Sequence, residues 1–572
     1  MSRRQLMRCL PWLLLTALPW LALAAPDAGS LLKQIESQST PPQSAPSLKT
    51  PSVPTPSAAG DAGPLVRINE FRIEGNQLLP SDVLQRALAG FSGRDLSLTQ
   101  LQEAAWVIVR TYREAGWLAH AFVPPQEIDR GIVNLKVIEA KLGQLRIDFP
   151  KDAHLPHRRI QSMADAQLLP GQPLSLHQID RLVLLLSDMS GVVASASYLE
   201  GAQPGTTDVL LRLTEGKKME ARLMLDNFGS VPTGSERLSA NLAVNNAMGL
   251  GDALALQAVR TQGSTFARAA YSMPVGLQGW RAGFHATDLS YNLVGSFTAL
   301  QASGTAQTWG ADLSVPLLRS TVRNVSLQIS TDRKTFDNQA LAIGQATEAT
   351  SFSKYRVDVL RTGLNANWFD QWLTPSQNSA SVMLTSGSVD LTGSPSAAGD
   401  SNAARTAGHF QKINLGYNRE QSLTGQLSTY LQAGAQLANR NLDSSEKLYL
   451  GGASGVRAYP SNEAGGSTGY TLTVGLKHRF DSAWTLNGFA DMGRIQVYRN
   501  NVTALGAPIT TLNTLPLQGV GLSVSWQGGQ GKELSATWSR RQGANPSATT
   551  TSTDSDGTRT LNRLWLSAAL NF

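Results

Sequence analysis

The chain has 572 residues, a formal charge of +7 and a single cysteine, Cys9, with 41% apolar and 7% aromatic residues. The basicity is spread along the sequence without a lysine–arginine block, so nucleic-acid binding has no support, and a lone cysteine excludes a disulfide framework and a cysteine-built zinc site. There is no H-E-x-x-H, no phosphate-binding glycine loop and, past the N-terminus, no run of 18 apolar residues. Metalloprotease, nucleotide-driven and helical membrane-spanning classes are therefore set aside, and neither a cofactor nor a metal is expected.

Arg3, Arg4 and Arg8 form a basic start, Leu10 to Leu23 is apolar, and Ala22-Leu-Ala24 is an A-x-A cleavage pattern. Residues 1–24 read as a signal peptide that is removed on export. Those arginines carry three of the +7, leaving +4, and the only cysteine goes with them. Within residues 25–38, a short helix is expected at 29–38, with Leu31, Leu32 and Ile35 on one side. Ten residues are marginal alone in water, so this helix needs a docking surface. Residues 39–64 hold seven prolines and no aromatic. They form a linker that cannot bury a core and that spans roughly 80 Å if extended as polyproline.

Residues 65–140 and 141–216 read as two copies of one unit. The first has a strand (66–74), a short helix near Ser81–Ala89 and a long helix opening on the capping box Ser97-Leu-Thr-Gln100 and stopping at Gly116; strands 117–123 and 132–138 follow. The second has a strand at 145–149 and a long helix opening at Ser175-Leu-His-Gln178 and stopping at Gly191; strands 192–199 and 209–213 follow. Ser/Thr caps and glycine stops mark helix ends. The order β-α-α-β-β at a spacing of about 75 residues resembles periplasmic POTRA domains.

After residue 216 the helical period gives way to alternation, as in Leu238/Ala240/Leu242/Val244, Val520/Leu522/Val524/Trp526 and Leu534/Ala536/Trp538. Period-2 segments separated by turns are the signature of a membrane barrel, and a region of this length fits about 14–18 strands, an even number. The last ten residues alternate too: Leu564, Leu566, Ala568, Leu570 and Phe572 on the lipid face, Arg563, Ser567 and Asn571 on the other. A strand ending on a terminal aromatic suits the closing strand of an outer-membrane barrel. Counting back from Phe572 gives strands near 563–572, 532–540, 518–527, 484–494, 470–480 and 427–449, with long connections at 541–562, 495–517 and 450–469. With sixteen strands, 484–494 is the thirteenth and 450–469 is the sixth extracellular loop.

That loop reads Gly451-Gly-Ala-Ser-Gly455-Val456-Arg457-Ala458-Tyr459-Pro. Strand 484–494 places Thr485, Asn487, Phe489 and Asp491 on the lumen side and Trp484, Leu486, Ala490 and Met492 toward lipid. The lumen side of this strand thus carries one carboxylate, Asp491. Here the chain closely resembles the two-partner secretion transporters (TpsB proteins, the haemolysin activation/secretion family), whose inward-folded loop carries Val-Arg-Gly-Tyr opposite a Gly-Phe-x-Asp strand. This sequence has Val456-Arg457-Ala458-Tyr459 and Gly488-Phe489-Ala490-Asp491, with alanine replacing the motif's glycine. Asp226-Asn-Phe-Gly-Ser230 and Thr233-Gly-Ser-Glu-Arg237 look like the family as well.

The resemblance implies an all-β transmembrane barrel of about sixteen antiparallel strands, preceded by two small α+β POTRA domains and a short N-terminal helix. The helix and the inward loop would plug the resting pore. Arg457 and Asp491 would hold the loop, with Phe489 packing beside them and Gly455, Val456 and Tyr459 completing the motif. It further implies export of one large exoprotein (an adhesin, haemolysin or contact-dependent toxin), captured through its N-terminal secretion domain by POTRA edges near 97–123. Leu570 and Phe572 would be read by the barrel-assembly machinery, and the barrel would sit in outer-membrane lipid. The competing readings are an insertase for other barrels and a passive channel. Gly465-Gly-Ser467-Thr-Gly469 matches G-x-S-x-G, but no helix follows as a nucleophile elbow requires. The pair His154/His157 beside Arg158 and Arg159 reads as a solvated loop, so no enzymatic activity is expected.

Overall fold

The computed structural model describes residues 27–39, 64–150, 154–341, 349–548 and 552–572; the expected signal peptide and nearly all of the Pro-rich linker lie outside them. Helix α1 (Ala28–Ser39) comes first, two small mixed sheets with helices follow, and sixteen strands then close into an antiparallel barrel. In chain order these are β1 (Met219–Asp226), β2 (Arg237–Asn245), β3 (Ala253–Arg260), β4 (Ser264–Val275), β5 (Trp280–Asn292), β6 (Ser303–Arg319), β7 (Arg323–Leu341) and β8 (Ala349–Asp370). The second half is β9 (Ser376–Asp390), β10 (Gly408–Ser422), β11 (Leu427–Ala438), β12 (Thr468–Arg479), β13 (Trp484–Gln496), β14 (Thr514–Gln527), β15 (Lys532–Arg541) and β16 (Asn562–Asn571).

Alternation explains the wall. Leu522, Leu534, Leu564, Leu566 and Leu570 stand outward and exposed, as do Phe284 and Trp309, which is where lipid chains pack. Trp484 and Trp526 face each other in register at the periplasmic ends of β13 and β14, where an aromatic girdle belongs. The barrel closes where β16 pairs β1, from Ser567 opposite Asp226 to Asn571 opposite Arg222. Beyond the end of β1, the Asn227 side chain continues the pairing: it donates to Leu564 O (2.9 Å) and accepts from Leu566 N (2.8 Å). Phe572, 66% exposed, donates its N–H to Ala221 O.

Each small unit is a three-stranded sheet with its first strand in the parallel centre pairing and its middle strand at an edge. In the first, Glu70–Glu74 runs parallel to Ile132–Glu139, which pairs antiparallel with Ala119–Phe122. In the second, Lys141–Asp148 runs parallel to Thr206–Glu215, which pairs antiparallel with Val192–Glu200. The long helix Leu98–Glu114 opens on a complete capping box, Ser97 accepting from Gln100 N and the Gln100 side chain from Ser97 N. At Leu176–Ser187 only the serine half is made. Gly116, at φ +83° directly after the first long helix, is a helix stop that a β-carbon would strain; the second long helix ends at Ser187, short of the expected stop at Gly191, whose φ of +76° belongs to the turn into Val192–Glu200.

Three further expectations need correction. The strand placed at 66–74 breaks at Asn69, because Gly131 O accepts from both Asn69 and Glu70 N–H. The second unit also has a first helix, His157–Gln167, whose apolar periodicity is carried by only Ile160, Met163 and Ala164. The strand placed at 427–449 ends at Ala438, so the sixth loop runs from 439 to 467.

Candidate functional site in the barrel lumen

Helix α1 lies inside the barrel. Its stripe Ala28, Leu31, Leu32 and Ile35 is buried against Phe266, Leu289, Phe336, Val357 and Phe410, an apolar seat on the inner wall. Full burial of one leucine or isoleucine contributes about 1.5–3 kcal/mol, which supplies the docking surface that so short a helix requires. Polar contacts set its depth. Ala28 N donates to Asn338 Oδ1 (2.9 Å), Gln34 Nε2 to Phe228 O (3.1 Å), and Arg237 to the Gln38 side chain. Arg237 is itself paired with the buried Asp226 at 2.7 Å.

The loop between β11 and β12 folds into the same lumen. It begins with a 3-10 turn (Ser444–Glu446), forms a two-stranded ladder between Leu448–Leu450 and Ala464–Gly466, and carries its tip to the middle of the wall. At the tip, Arg457 donates Nε to Asp491 Oδ2 (2.8 Å), Nη2 to Oδ1 (2.7 Å) and its backbone N–H to Oδ2 (3.1 Å). Thr473 of β12 donates to the same carboxylate at 2.8 Å. Asp491 is 3% exposed, and the Arg457 guanidinium lies 3.3 Å from the Phe489 ring centroid. A buried carboxylate with this many donors and a bidentate arginine is satisfied, whereas either partner alone would be a stranded charge.

The backbone beside Arg457 is held equally well. Its carbonyl accepts from Ser539 Oγ (2.6 Å) and Trp565 Nε1 (2.7 Å). Val456, Ala458 and Tyr459 are fully buried with Leu450, Ile495 and Leu517. Gly455 approaches Gly451 O so closely that a β-carbon would sit 2.7 Å from it. Ala458 is not among the residues of positive φ. A β-carbon on Gly519 of β14 would meet the Ala458 methyl at 2.5 Å, so the wall leaves room for this alanine.

The structure therefore brings Gly455, Val456, Arg457, Tyr459, Phe489 and Asp491 into one cluster, and leaves Leu570 and Phe572 on the outer face at the seam. Ser467 of the G-x-S-x-G match is buried ahead of a strand, accepting from Leu442 N and donating to Val497 O. His157 opens a helix and stacks on Phe149 at 4.0 Å. Among the described residues, no group of His, Cys, Asp or Glu is arranged to hold a metal.

Sequence reasoning missed four parts of this site. Trp565 and Ser539 clamp the Arg457 carbonyl, Gly519 makes the space, and Glu446 forms a second ionic centre. Glu446, 1% exposed, sits 2.8 Å from Lys412 Nζ, 3.0 Å from Arg361 Nη2 and 3.4 Å from Lys334 Nζ. Lys334 also reaches Glu36 of α1 at 3.3 Å, and Lys33 of α1 lies within Coulomb range of Glu446. Loop, helix and wall thus share one charge network. Trp565 carried a faint signal, an aromatic on the polar face of the last strand; Glu446 carried none.

Comparison with known proteins gives two family matches. Residues 205–522 match the model of the haemolysin secretion/activation proteins ShlB/FhaC/HecB, and residues 66–140 match the ShlB-type POTRA domain. The heme/hemopexin transporter protein HuxB of Haemophilus influenzae (strain 86-028NP) is 25% identical over 518 residues, covering 88% of this chain and 89% of that protein. The outer membrane transporter CdiB of Dickeya dadantii is 23% identical over 423 residues, 71% of each chain. Among solved structures, CdiB from Escherichia coli shares the fold with a TM-score of 0.64 at 19% identity, covering 91% of this chain and 93% of that one.

Proposed function

The chain belongs to the haemolysin secretion/activation (ShlB/FhaC/HecB) family and is an outer-membrane two-partner secretion transporter, not an enzyme, and from that premise we propose that it exports one large secreted protein through a pore closed at rest by α1 and the sixth loop. The family implies a secreted partner; its kind, an adhesin, haemolysin or contact-dependent toxin, is part of this proposal. The partner's N-terminal secretion domain is captured in the periplasm at the edge strand Ala119–Phe122, by strand addition. The start of that strand is already tied to the second unit through the bridge between Trp117 and Ser175, so the free edge is shorter than the stretch 97–123.

The observation that carries this reading is that two separate segments occupy the lumen and are held there differently. Arg457, with Asp491 and Phe489, positions the loop; Gly455, Val456 and Tyr459 shape its tip. Helix α1 rests on an apolar seat and is joined to the rest of the chain by a long linker, so it can leave the lumen while the barrel stays closed at its seam. Because this chain has no nucleotide-binding motif, folding of the partner outside supplies direction. Leu570 and Phe572 at the C-terminus are the residues the barrel-assembly machinery would read. The test is the culture medium of a strain lacking the gene, compared with its parent by gel and mass spectrometry. Loss of one large secreted protein with other outer-membrane proteins unchanged is the expected result; general loss of barrel proteins would replace this reading with that of an assembly factor.

A further inference from the structure

The periplasmic half of the lumen has a surface unlike the seat of α1. A cavity of about 800 Å³ opens there against β7 to β13, below the tip of the sixth loop. Asn324, Asn367, Ser379, Asn418, Gln432 and Thr473 are successive cross-strand neighbours on β7 to β12, each directly opposite the next in register. The row continues to Asp491, opposite Thr473, where Arg457 is anchored. One step along the strands, Asn365 lies opposite Ser381. From Asn324 to Thr473 every side chain in the row is a carboxamide or a hydroxyl.

The charged residues that line the cavity are neutralised within the wall. Lys477 pairs with Glu420 at 2.6 Å, Arg419 with Asp370 at 3.1 Å, and Arg457 with Asp491 at 2.7 Å. The surface therefore exerts little pull on the charge of anything that enters, and the row itself presents neither aromatic nor aliphatic side chain. Carboxamides and hydroxyls both donate and accept hydrogen bonds, which is the pairing that peptide N–H and C=O groups require. Asn487 Oδ1, buried in the same lining, has no hydrogen-bond partner among the described residues.

We propose that this amide–hydroxyl row is a binding site for the main chain of an extended polypeptide, recognised without regard to its side-chain sequence. A chain drawn from the periplasm into the barrel loses water from its backbone before its own folding can satisfy those groups, and the row replaces that water. A surface blind to side chains lets every segment of a long cargo pass in turn, without one segment binding so tightly that it stalls the rest. The inference rests on the transport reading and adds to it what the pore wall recognises.

The experiment uses the full chain as C9S/S381C, with a fluorescent label at position 381, in lipid nanodiscs. Two unstructured 12-residue peptides of unrelated sequence, each carrying one tryptophan, are titrated as quenchers. The same peptides are prepared with alternate backbone nitrogens methylated. Both unmodified peptides are expected to bind with Kd values within about threefold of each other, and the methylated forms at least tenfold more weakly. N367L/N418L/Q432L should weaken the unmodified peptides at least tenfold, whereas N367S/N418S/Q432N, which keeps the hydrogen-bonding groups, should stay within about threefold. Equal binding of methylated and unmodified peptides would overturn the proposal, as would an unchanged leucine variant or a strong preference for one sequence. The culture-medium comparison judges transport separately: a gene-dependent secreted protein alongside any of those overturning results keeps the transporter and removes this site.

Discussion

Helix α1 and the sixth loop fill the same lumen by opposite means. The helix is held chiefly by an apolar stripe on an apolar seat, with hydrogen bonds from Ala28 and Gln34 and one ion pair, Glu36 to Lys334, beside it. The loop is held by a buried bidentate ion pair and by two donors on one backbone carbonyl. Apolar burial is non-directional and is recovered wherever the helix finds another apolar surface. A buried ion pair has one geometry and a steep cost of disruption. On the proposed function, the contrast separates a part that would leave from a part that would stay, and Glu446 is where the two meet.

The sharpest way to break this comparison is Asp491→Ala. Removing one partner of a buried pair costs about 3–5 kcal/mol, so the loop should detach, with its residues becoming cleavable in limited proteolysis and secretion falling more than tenfold. A loop that stays protected would remove the anchor from the account. Leu32→Glu, which forces a charge into the apolar seat, should cost about 2–4 kcal/mol and act on the helix alone. Conductance in planar bilayers should rise severalfold, while the folded barrel keeps its heat-modifiable mobility on a gel.

Glu446→Gln probes the shared centre. Three cations would lose their carboxylate and be left as uncompensated charge beside a neutral amide, and both the helix and the loop should become more accessible to protease. Accessibility rising in only one of them would show that the two are independent. The smallest effect belongs to the wall. Gly519→Ala should cost about 1–2 kcal/mol through overpacking against the Ala458 methyl and raise loop cleavage modestly. The double variant A458G/G519A should return to the parent level, which a defect in β14 itself would not allow.

Much of the fold was legible because barrel strands and capped helices are written in neighbouring residues. Outward leucines at every second position, Ser97 with Gln100, and the Gly116 stop each report a conformation decided within a few residues. The thirteenth strand and the sixth loop followed from counting turns back from Phe572. The loop's length was misjudged because Leu448–Leu450 is itself a strand, but one that pairs with Ala464–Gly466 inside the loop instead of extending β11 along the wall. The break at Asn69 depended on Gly131, a carbonyl brought in from the far end of the unit.

The sequence by itself determined the barrel class, the even strand count, the two preceding units and the position of Arg457 at a loop tip, since all of these rest on short-range periodicity and local motifs. Only the tertiary structure decided where α1 docks, that Trp565 turns inward to hold a carbonyl 108 residues away, that Gly519 makes room for Ala458, and that Glu446 joins loop, helix and wall. Those contacts exist because closing a sheet of sixteen strands sets the register around the whole ring, and that closure places residues from distant strands face to face across one lumen.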